Sequence, residues 1–354
     1  MGSRSGQRNC FLDFLKLIFA LIVMISHTSA FADTEANEAY ITLLGWFPVH
    51  FFFAVSGYFM VVEADKRNSE LSPAKDAFFA VIKRFKGFAL QYWTALALFV
   101  IVICIMTFRD FDSQMVFLSR LLFDIFPLSA AIFGHCYIGG HLWYISAMLV
   151  MMLPLFYLLF KDRDRFVYVI APLLFVLSTM YLVQYGTPYR EYNGDIDYAV
   201  LNLVRALNGL CMGSCAFIMA ESIRKVRSRL VVTVIEALSW IAVLLLWTRK
   251  VAFETRFAGF ILLIIGLGAT LSGVSYTAQI FDKGLCRKFG SLSLAVYLNH
   301  YLAKDIVLHF FDMDSYIGNF LIMLAVTVIL IVVYYIAVYL LKKSLAKRRE
   351  VQNA

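Results

Sequence analysis

Lys16 and His27 stand eleven positions apart inside the first strongly apolar stretch of the chain, residues 11–31. A helix of that length crosses the apolar core of a bilayer. At about 100° per residue, eleven steps complete three turns and about 20° more, so both side chains lie on one face, about 16 Å apart. A cation and an imidazole are costly in lipid, and such residues normally face a protein interior or an aqueous cavity. The pair therefore indicates chemistry or transport rather than simple anchoring.

Polar side chains also interrupt several other apolar stretches. His141 and Tyr144, three residues apart, share a helix face, and so do Tyr297 and His300. Histidines and an arginine that face inward from separate helices are hard to explain as isolated structural hydrogen bonds. The candidates for substrate contact are His50, His141, Tyr144, Arg205, Tyr297 and His300.

The composition determines which elements must position these residues. Of the 354 residues, 61% are hydrophobic and only 16% are charged, whereas about a quarter of a soluble domain is charged. This composition predicts an all-α, polytopic membrane protein that forms one integral-membrane domain over residues 1–354. The predicted spans lie near 11–31, 46–63, 87–107, 142–160, 166–185, 203–221, 230–248, 257–275, 291–311 and 317–341.

The distribution of basic residues orients these ten spans. With the N-terminus inside, 23 of the 32 Lys and Arg residues fall in the inner segments, as the positive-inside rule expects. The sequence therefore predicts that both termini are cytoplasmic. The net charge of +8 does not indicate nucleic-acid binding, because the basic residues cluster in short loops between apolar runs.

Two further stretches bear on the site. The segment 114–135 is apolar but contains Arg120, Asp124 and Pro127, which favours an interfacial or re-entrant piece. At the inner membrane face, Lys83, Arg84 and Lys86 can hold phosphate groups, although such a cluster also follows from the positive-inside rule and from contact with anionic lipid.

The order of the motifs resembles that of the membrane acyltransferase-3 family. Ten residues separate a cation from a histidine in the first helix; FFFAVSGYFM then follows His50, and KRFK, HLWYISAML and LAVYLNHYL come later. The resemblance covers nearly the whole chain, although the family typically has an arginine at the position of Lys16. Members are integral-membrane acyltransferases, mostly O-acetyltransferases that act on bacterial surface polysaccharides.

The resemblance implies a role for each candidate residue. His27 is expected to take the proton from an acceptor hydroxyl, a task that suits an imidazole. Lys16 is expected to position the acyl donor, acetyl-CoA, whose phosphates would bind Lys83, Arg84 and Lys86 from the cytoplasm. The acceptor would be a glycan or another hydroxyl compound at the outer face of a bacterial plasma membrane. No metal is expected, the oligomeric state is open, and direct transfer and a covalent relay are both compatible with the sequence.

A secondary transporter or a lipid-linked sugar flippase is the main alternative, because buried charges on about ten helices suit it equally well. Transporters often contain two related halves with broken helices, and no such internal symmetry is visible in this sequence. A signalling or structural membrane protein is the third possibility, but it leaves the polar residues of the first helix unexplained.

Overall fold

The protein is built from helices. The computed structural model describes residues 9–67, 69, 71–107, 115, 119, 121–134, 136, 139–185, 197–248, 257–279, 283–311 and 315–353, and no strand occurs among them. The longer helices are α1 (Cys10–Ser26), α2 (Glu35–Ala64), α3 (Pro73–Lys86), α4 (Ala89–Thr107), α5 (Ser129–Phe133), α6 (Trp143–Lys161), α7 (Ala171–Tyr185), α8 (Tyr198–Ile223), α9 (Arg229–Thr248), α10 (Ala258–Ser272), α11 (Lys283–Phe310) and α12 (Tyr316–Asn353). The prediction of an all-α polytopic membrane protein is confirmed.

Within the described residues, eight segments are long and apolar enough to cross a membrane, and each overlaps a predicted span. They are Cys10–Phe31, Tyr40–Ala64, Ala89–Met106, Gly140–Lys161, Arg163–Tyr185, Tyr198–Ile223, Arg229–Leu246 and Tyr316–Ser344. The predicted spans at 257–275 and 291–311 fall on α10 and α11, which do not belong to this set. Helix α10 has only 15 residues, or about 22 Å, and α11 carries polar side chains such as His300 and Lys304.

Helices α2 and α8 pack at unusually close range. A Cβ atom on Gly57 would lie 2.0 Å from the Leu210 carbonyl oxygen, and one on Gly213 would lie 2.1 Å from that of Ala54. Only glycine permits this approach, since any side chain would overlap the opposite backbone. The close contact places α8 along the middle of α2, and α8 also packs against α6, α7 and α10.

Helix α6 begins inside the helix bundle rather than at its surface. The Tyr144 ring lies 4.4 Å from that of Phe53, which is fully buried in the middle of α2. The segment before α6 folds back along α4: Tyr92 donates a 2.6 Å hydrogen bond to the Asp124 carbonyl, and Ser146 accepts one from the Ala131 amide. These contacts satisfy backbone groups of Asp124 and Ala131, while Leu122 and Phe126 of the same segment are exposed.

The end of α10 fixes the start of α1. Asn9 donates a 2.6 Å hydrogen bond to the Thr270 carbonyl, and its own side-chain oxygen caps α1 at the Leu12 amide. The Thr270 hydroxyl in turn donates to Glu236, a carboxylate that is completely buried on α9. A carboxylate in this environment needs such donors. The network holds in place the helix that carries Lys16.

Candidate active site

Three histidines from distant parts of the sequence meet in one place. His27 begins a 3₁₀ turn (His27–Phe31) directly after α1, His141 lies in the turn Gly140–Leu142 before α6, and His300 lies on α11. The ring centroid of His300 is 5.1 Å from that of His27 and 5.0 Å from that of His141. We call these three residues the histidine cluster.

Tyr301 and Lys304 complete the surroundings of the histidine cluster. The Tyr301 ring lies 5.1 Å from His27, edge on, and 5.1 Å from His141, stacked. The Lys304 ammonium group lies 3.5 Å from the centroid of the Tyr301 ring and pairs with Asp305 at 3.2 Å. Lys304 also acts electrostatically on all three histidines. The site therefore combines an ammonium group, paired with Asp305, with three imidazoles.

The members of the cluster differ in accessibility. His27 is partly exposed, as are Tyr301 and Lys304, whereas His141 and His300 are buried behind them. The backbone of Gly140 is also exposed beside these side chains. His27 is therefore the most accessible histidine of the cluster, while His141 and His300 support it from within the protein.

The hydrogen bonds of His300 determine which nitrogen carries its proton. Its Nδ1 atom lies 3.0 Å from the Val296 carbonyl oxygen, which can only accept a hydrogen bond. In neutral His300 the Nε2 atom is then an acceptor, and it is buried with no hydrogen-bond partner among the described residues. The two ring nitrogens of His141 are likewise buried, and the backbone of Leu298 is close enough to act on that ring.

Two glycines place His141 in the cluster. Gly139 has a φ of +70°, and a Cβ atom there would lie 3.2 Å from His141 Cε1. A Cβ atom on Gly140 would lie 3.0 Å from the Tyr301 hydroxyl. The Tyr297 hydroxyl holds the same turn by donating a 2.6 Å hydrogen bond to the His141 carbonyl.

Replacing Gly139 by alanine is expected to destabilise the protein by about 1–2 kcal/mol through the positive φ and, in addition, to displace His141. Gly273 is the matched control, because its φ is +71° and a Cβ atom there meets nothing within 4 Å. Thermal unfolding should show similar losses for G139A and G273A, while only G139A should lose activity beyond its loss of stability. Equal activities would contradict the role assigned to the Gly139 turn.

Arg84 forms a second polar centre, on the packed face of α3. Its Nε and Nη2 atoms are buried without a hydrogen-bond partner among the described residues, and it acts electrostatically on Tyr144, whose hydroxyl bonds Ser56. Burial lowers the pKa of Arg84 below its usual value, although an arginine of this kind stays charged near neutrality. Glu63 also acts electrostatically on Arg84, but two buried N–H groups without hydrogen-bond acceptors are suited to binding an anion.

The basic triplet consists of Lys83, Arg84 and Lys86, and its two lysines point away from the bundle. Lys83 pairs with Glu63 at 2.8 Å with 76% of its side chain exposed, and Lys86 is exposed as well. The three cations that are neighbours in sequence therefore separate: only Arg84 faces the interior.

Aromatic rings connect Arg84 to the histidine cluster. The Tyr144 ring lies 5.9 Å from that of Tyr297, which lies 5.3 Å from His141. Tyr144 and Tyr297, two of the predicted substrate contacts, thus belong to one continuous wall between the two polar centres.

Lys16 lies on α1, toward the opposite end from His27. Its ammonium group pairs with Asp13 at 3.2 Å and lies 5.9 Å from the centroid of the Phe59 ring. Asp13 and Lys16, three residues apart on one helix, therefore share a face and form an ion pair.

His50 and Arg205 lie outside the histidine cluster. His50 is fully buried between the rings of Trp46 and Phe260, and its Nδ1 atom lies 2.9 Å from the Trp46 carbonyl oxygen. Arg205 acts electrostatically on His50 and stands 5.8 Å from the centroid of the Trp143 ring. The two residues form a separate polar pair between α2 and α8.

Tyr301 is the site residue that the sequence analysis missed. It lies four residues after Tyr297 and three before Lys304, so the helical spacing that singled out Tyr297 also placed Tyr301 near the same face. In the described part of the chain, no three His, Cys, Asp or Glu side chains are arranged to hold a common metal ion.

One of three comparisons with known proteins identifies the family of the chain. A family profile described as "Acyltransferase domain", that of the acyltransferase-3 family, matches residues 9–339, nearly the whole chain. None of the curated proteins and none of the solved structures compared with the chain is significantly similar to it. With apolar helices long enough to cross a bilayer and this family match over most of its length, the chain belongs to the acyltransferase-3 family of membrane acyltransferases.

Proposed function

We propose that the protein transfers an acetyl group from acetyl-CoA to a hydroxyl group of a cell-surface or exported glycan, in the plasma membrane of a bacterium. The observation that carries this proposal is the partly exposed His27 within the histidine cluster, beside the cation of Lys304. An acyltransferase needs a base for the acceptor hydroxyl and positive charge near the oxygen of the acyl carbonyl. His27 would supply the base and Lys304 the positive charge.

The reaction proceeds by attack of the acceptor hydroxyl on the thioester. As the hydroxyl oxygen bonds to the carbonyl carbon, its proton passes to His27 and the carbonyl electron pair moves onto oxygen. The positive charge of Lys304 favours this anionic oxygen. When the carbonyl forms again, the carbon–sulfur bond breaks, and the CoA thiolate takes the proton from His27. The products are the O-acetyl ester and CoA.

His300 positions His27 during this proton transfer. A protonated imidazole carries hydrogen on both nitrogens, so the second N–H of His27 needs an acceptor. The Nε2 atom of His300 is buried without a hydrogen-bond partner among the described residues, and the ring centroid of His300 lies 5.1 Å from that of His27, so we propose that this lone pair accepts the hydrogen bond. This arrangement resembles the base-and-orienting-group pairs of other acyl-transfer sites, with a neutral imidazole as the orienting group.

Glutamine and asparagine at position 300 test this role. A glutamine places its side-chain oxygen near the position of Nε2, whereas an asparagine reaches only the position of Nδ1. We expect H300N to lower kcat by about tenfold more than H300Q, because a lost hydrogen bond to a charged group costs about 1.5–3 kcal/mol. KM for either substrate should change little. An H300N enzyme as fast as H300Q would contradict the proposed acceptor role.

Acetyl-CoA is proposed to bind from the end of the bundle that carries α3. Arg84 offers a buried, unsatisfied guanidinium to a phosphate, and Lys16 adds a second cation nearer the start of α1. The distribution of basic residues supports a cytoplasmic location for this end. The thioester would extend along the wall of Tyr144 and Tyr297 toward His27.

The glycan acceptor is proposed to approach from the opposite end. His27 lies at that end of α1, and the turn that it begins is held to α12 by a 2.7 Å hydrogen bond between Thr28 and Tyr316. Arg205 and Trp143, both partly exposed, offer a polar group and an aromatic face for a sugar, while His50 is fully buried beside them. These contacts support a hydroxyl-rich acceptor.

The direct test uses purified protein in bilayer nanodiscs with radiolabelled acetyl-CoA and envelope glycan from an acetylation-deficient strain. Labelled ester that alkali releases would support the proposal. Label that appears only on small hydroxyl compounds would overturn the glycan assignment and leave acyl transfer intact. Loss of thioester without any acylated acceptor would overturn the transfer itself.

A further inference from the structure

Helix α3 has two chemically different faces. The packed face carries Ala77, Ala80 and Arg84, of which the alanines are buried. The outer face presents Phe78, which is 53% exposed, and Phe79, which is 56% exposed. Helix α3 ends three residues before α4 begins. Two bulky aromatic residues that are exposed side by side need an apolar neighbour.

A groove runs along this outer face. Its volume is about 540 Å³, and it is lined by Leu71, Ala74, Lys75, Phe78 and Phe79. The lining is apolar except for one ammonium group at Lys75. This combination suits a ligand with a hydrocarbon chain and an anionic head.

The charges around the groove are unbalanced. The neighbouring carboxylates are engaged, since Asp76 pairs with Arg67, Glu63 with Lys83, and Asp65 with Arg163. The exposed ammonium groups of Lys66, Lys75 and Lys86 have no carboxylate within ion-pair distance among the described residues. This excess of positive charge selects an anionic head group over a zwitterionic one.

We propose that this groove binds an anionic phospholipid of the adjoining leaflet. Leu71, Phe78 and Phe79 would contact an acyl chain, and Lys75 would pair with the lipid phosphate. Amphipathic helices of this composition bind at the membrane interface through both interactions. A bilayer supplies the occupant at high local concentration, and α3 connects two helices that cross it.

The lipid would also influence the donor site, an inference that rests on the proposed function. Arg84 lies on the same helix, on the face opposite the exposed phenylalanines. The packing of α3 against α6 therefore sets how deeply the Arg84 side chain lies in the bundle. A lipid held against the outer face keeps α3 pressed on α6. Anionic lipid is therefore expected to lower KM for acetyl-CoA.

The test titrates the protein in neutral detergent with short-chain phosphatidylglycerol or phosphatidylcholine and counts bound lipid by native mass spectrometry. Phosphatidylglycerol should bind more tightly than phosphatidylcholine. The substitution Lys75→Gln should lower the affinity for phosphatidylglycerol about fivefold. Phe79→Ser should weaken the binding of both lipids. Lys343→Gln, which removes an exposed lysine far along α12, should change nothing.

Equal binding of the two lipids, or equal losses for K75Q and K343Q, would overturn the site. Displacement of the lipid by millimolar inorganic phosphate would also overturn it, because the site would then be one for free anions. The lipid measurement requires no catalysis, so a protein without acetyl transfer would refute the proposed function and leave the lipid site standing. Lipid binding without any change in KM would overturn only the link to Arg84.

Discussion

Replacing His27 by glutamine is expected to lower kcat for acetyl transfer by about 10²–10⁴-fold, the usual contribution of a general base. Glutamine keeps a polar side chain of similar size but cannot take a proton at neutral pH. KM for acetyl-CoA should stay close to the wild-type value, because the proposed phosphate contacts lie at the other end of the protein. The measurement is the initial rate of labelled-ester formation at saturating donor.

His309 provides the control for this substitution. It is exposed on the same helix as His300, and its ring contacts only Phe310 among the described aromatic side chains. The H309Q variant should match the wild type in rate and in melting temperature. Transfer that survives in H27Q would refute the assignment of His27 as the base.

Replacing Arg84 by glutamine is expected to raise KM for acetyl-CoA by about ten- to a hundredfold, the effect of losing a charge-assisted hydrogen bond. Neither buried nitrogen has a hydrogen-bond partner among the described residues, so the substitution removes buried N–H groups that lack acceptors, and Glu63 keeps its ion pair with Lys83. R84Q should therefore fold at least as stably as the wild type. A purely structural arginine would show the reverse, a lower melting temperature with an unchanged KM.

Lys83 is the matched control for Arg84. It is the preceding residue, carries the same charge, and forms an exposed ion pair with Glu63. Exposed pairs contribute little, so K83Q should change KM by less than about threefold. Equal effects of K83Q and R84Q would mean that the basic triplet acts through its overall charge, and would contradict a specific site at Arg84.

The sequence predicted much of the fold because hydropathy and helical period are local properties. Residues 11–31 are long enough and apolar enough to span a bilayer whatever their neighbours are, and the structure has a candidate span there at Cys10–Phe31. The ion pair between Asp13 and Lys16 follows from a spacing of three on one helix. The close contact at Gly57 is likewise compatible with a local property, since a small residue permits close helix approach without specifying the partner.

The composition of the site could not be read from the sequence in the same way. His50, His141 and His300 were equivalent candidates, but only the last two join His27, because the meeting of helices depends on packing between them and not on spacing within them. The boundary of α6 illustrates this. A helix entrance read from sequence would lie at the membrane surface, whereas the turn through Gly139 and Gly140 places His141 inside the bundle.

By itself, the sequence determined that this chain is a helical membrane protein, and it predicted a cation and an imidazole on one face of the first span, of which His27 lies in the turn that follows α1. The order of its motifs indicated the family that the profile match establishes. Only the tertiary structure decided that His300 and His141 stand behind His27, that Tyr301 and Lys304 complete the site, and that Arg84 alone of three adjacent cations faces inward. The reason is physical: a helical period fixes the face on which a side chain lies, but the neighbour of that face is set by packing across the whole bundle.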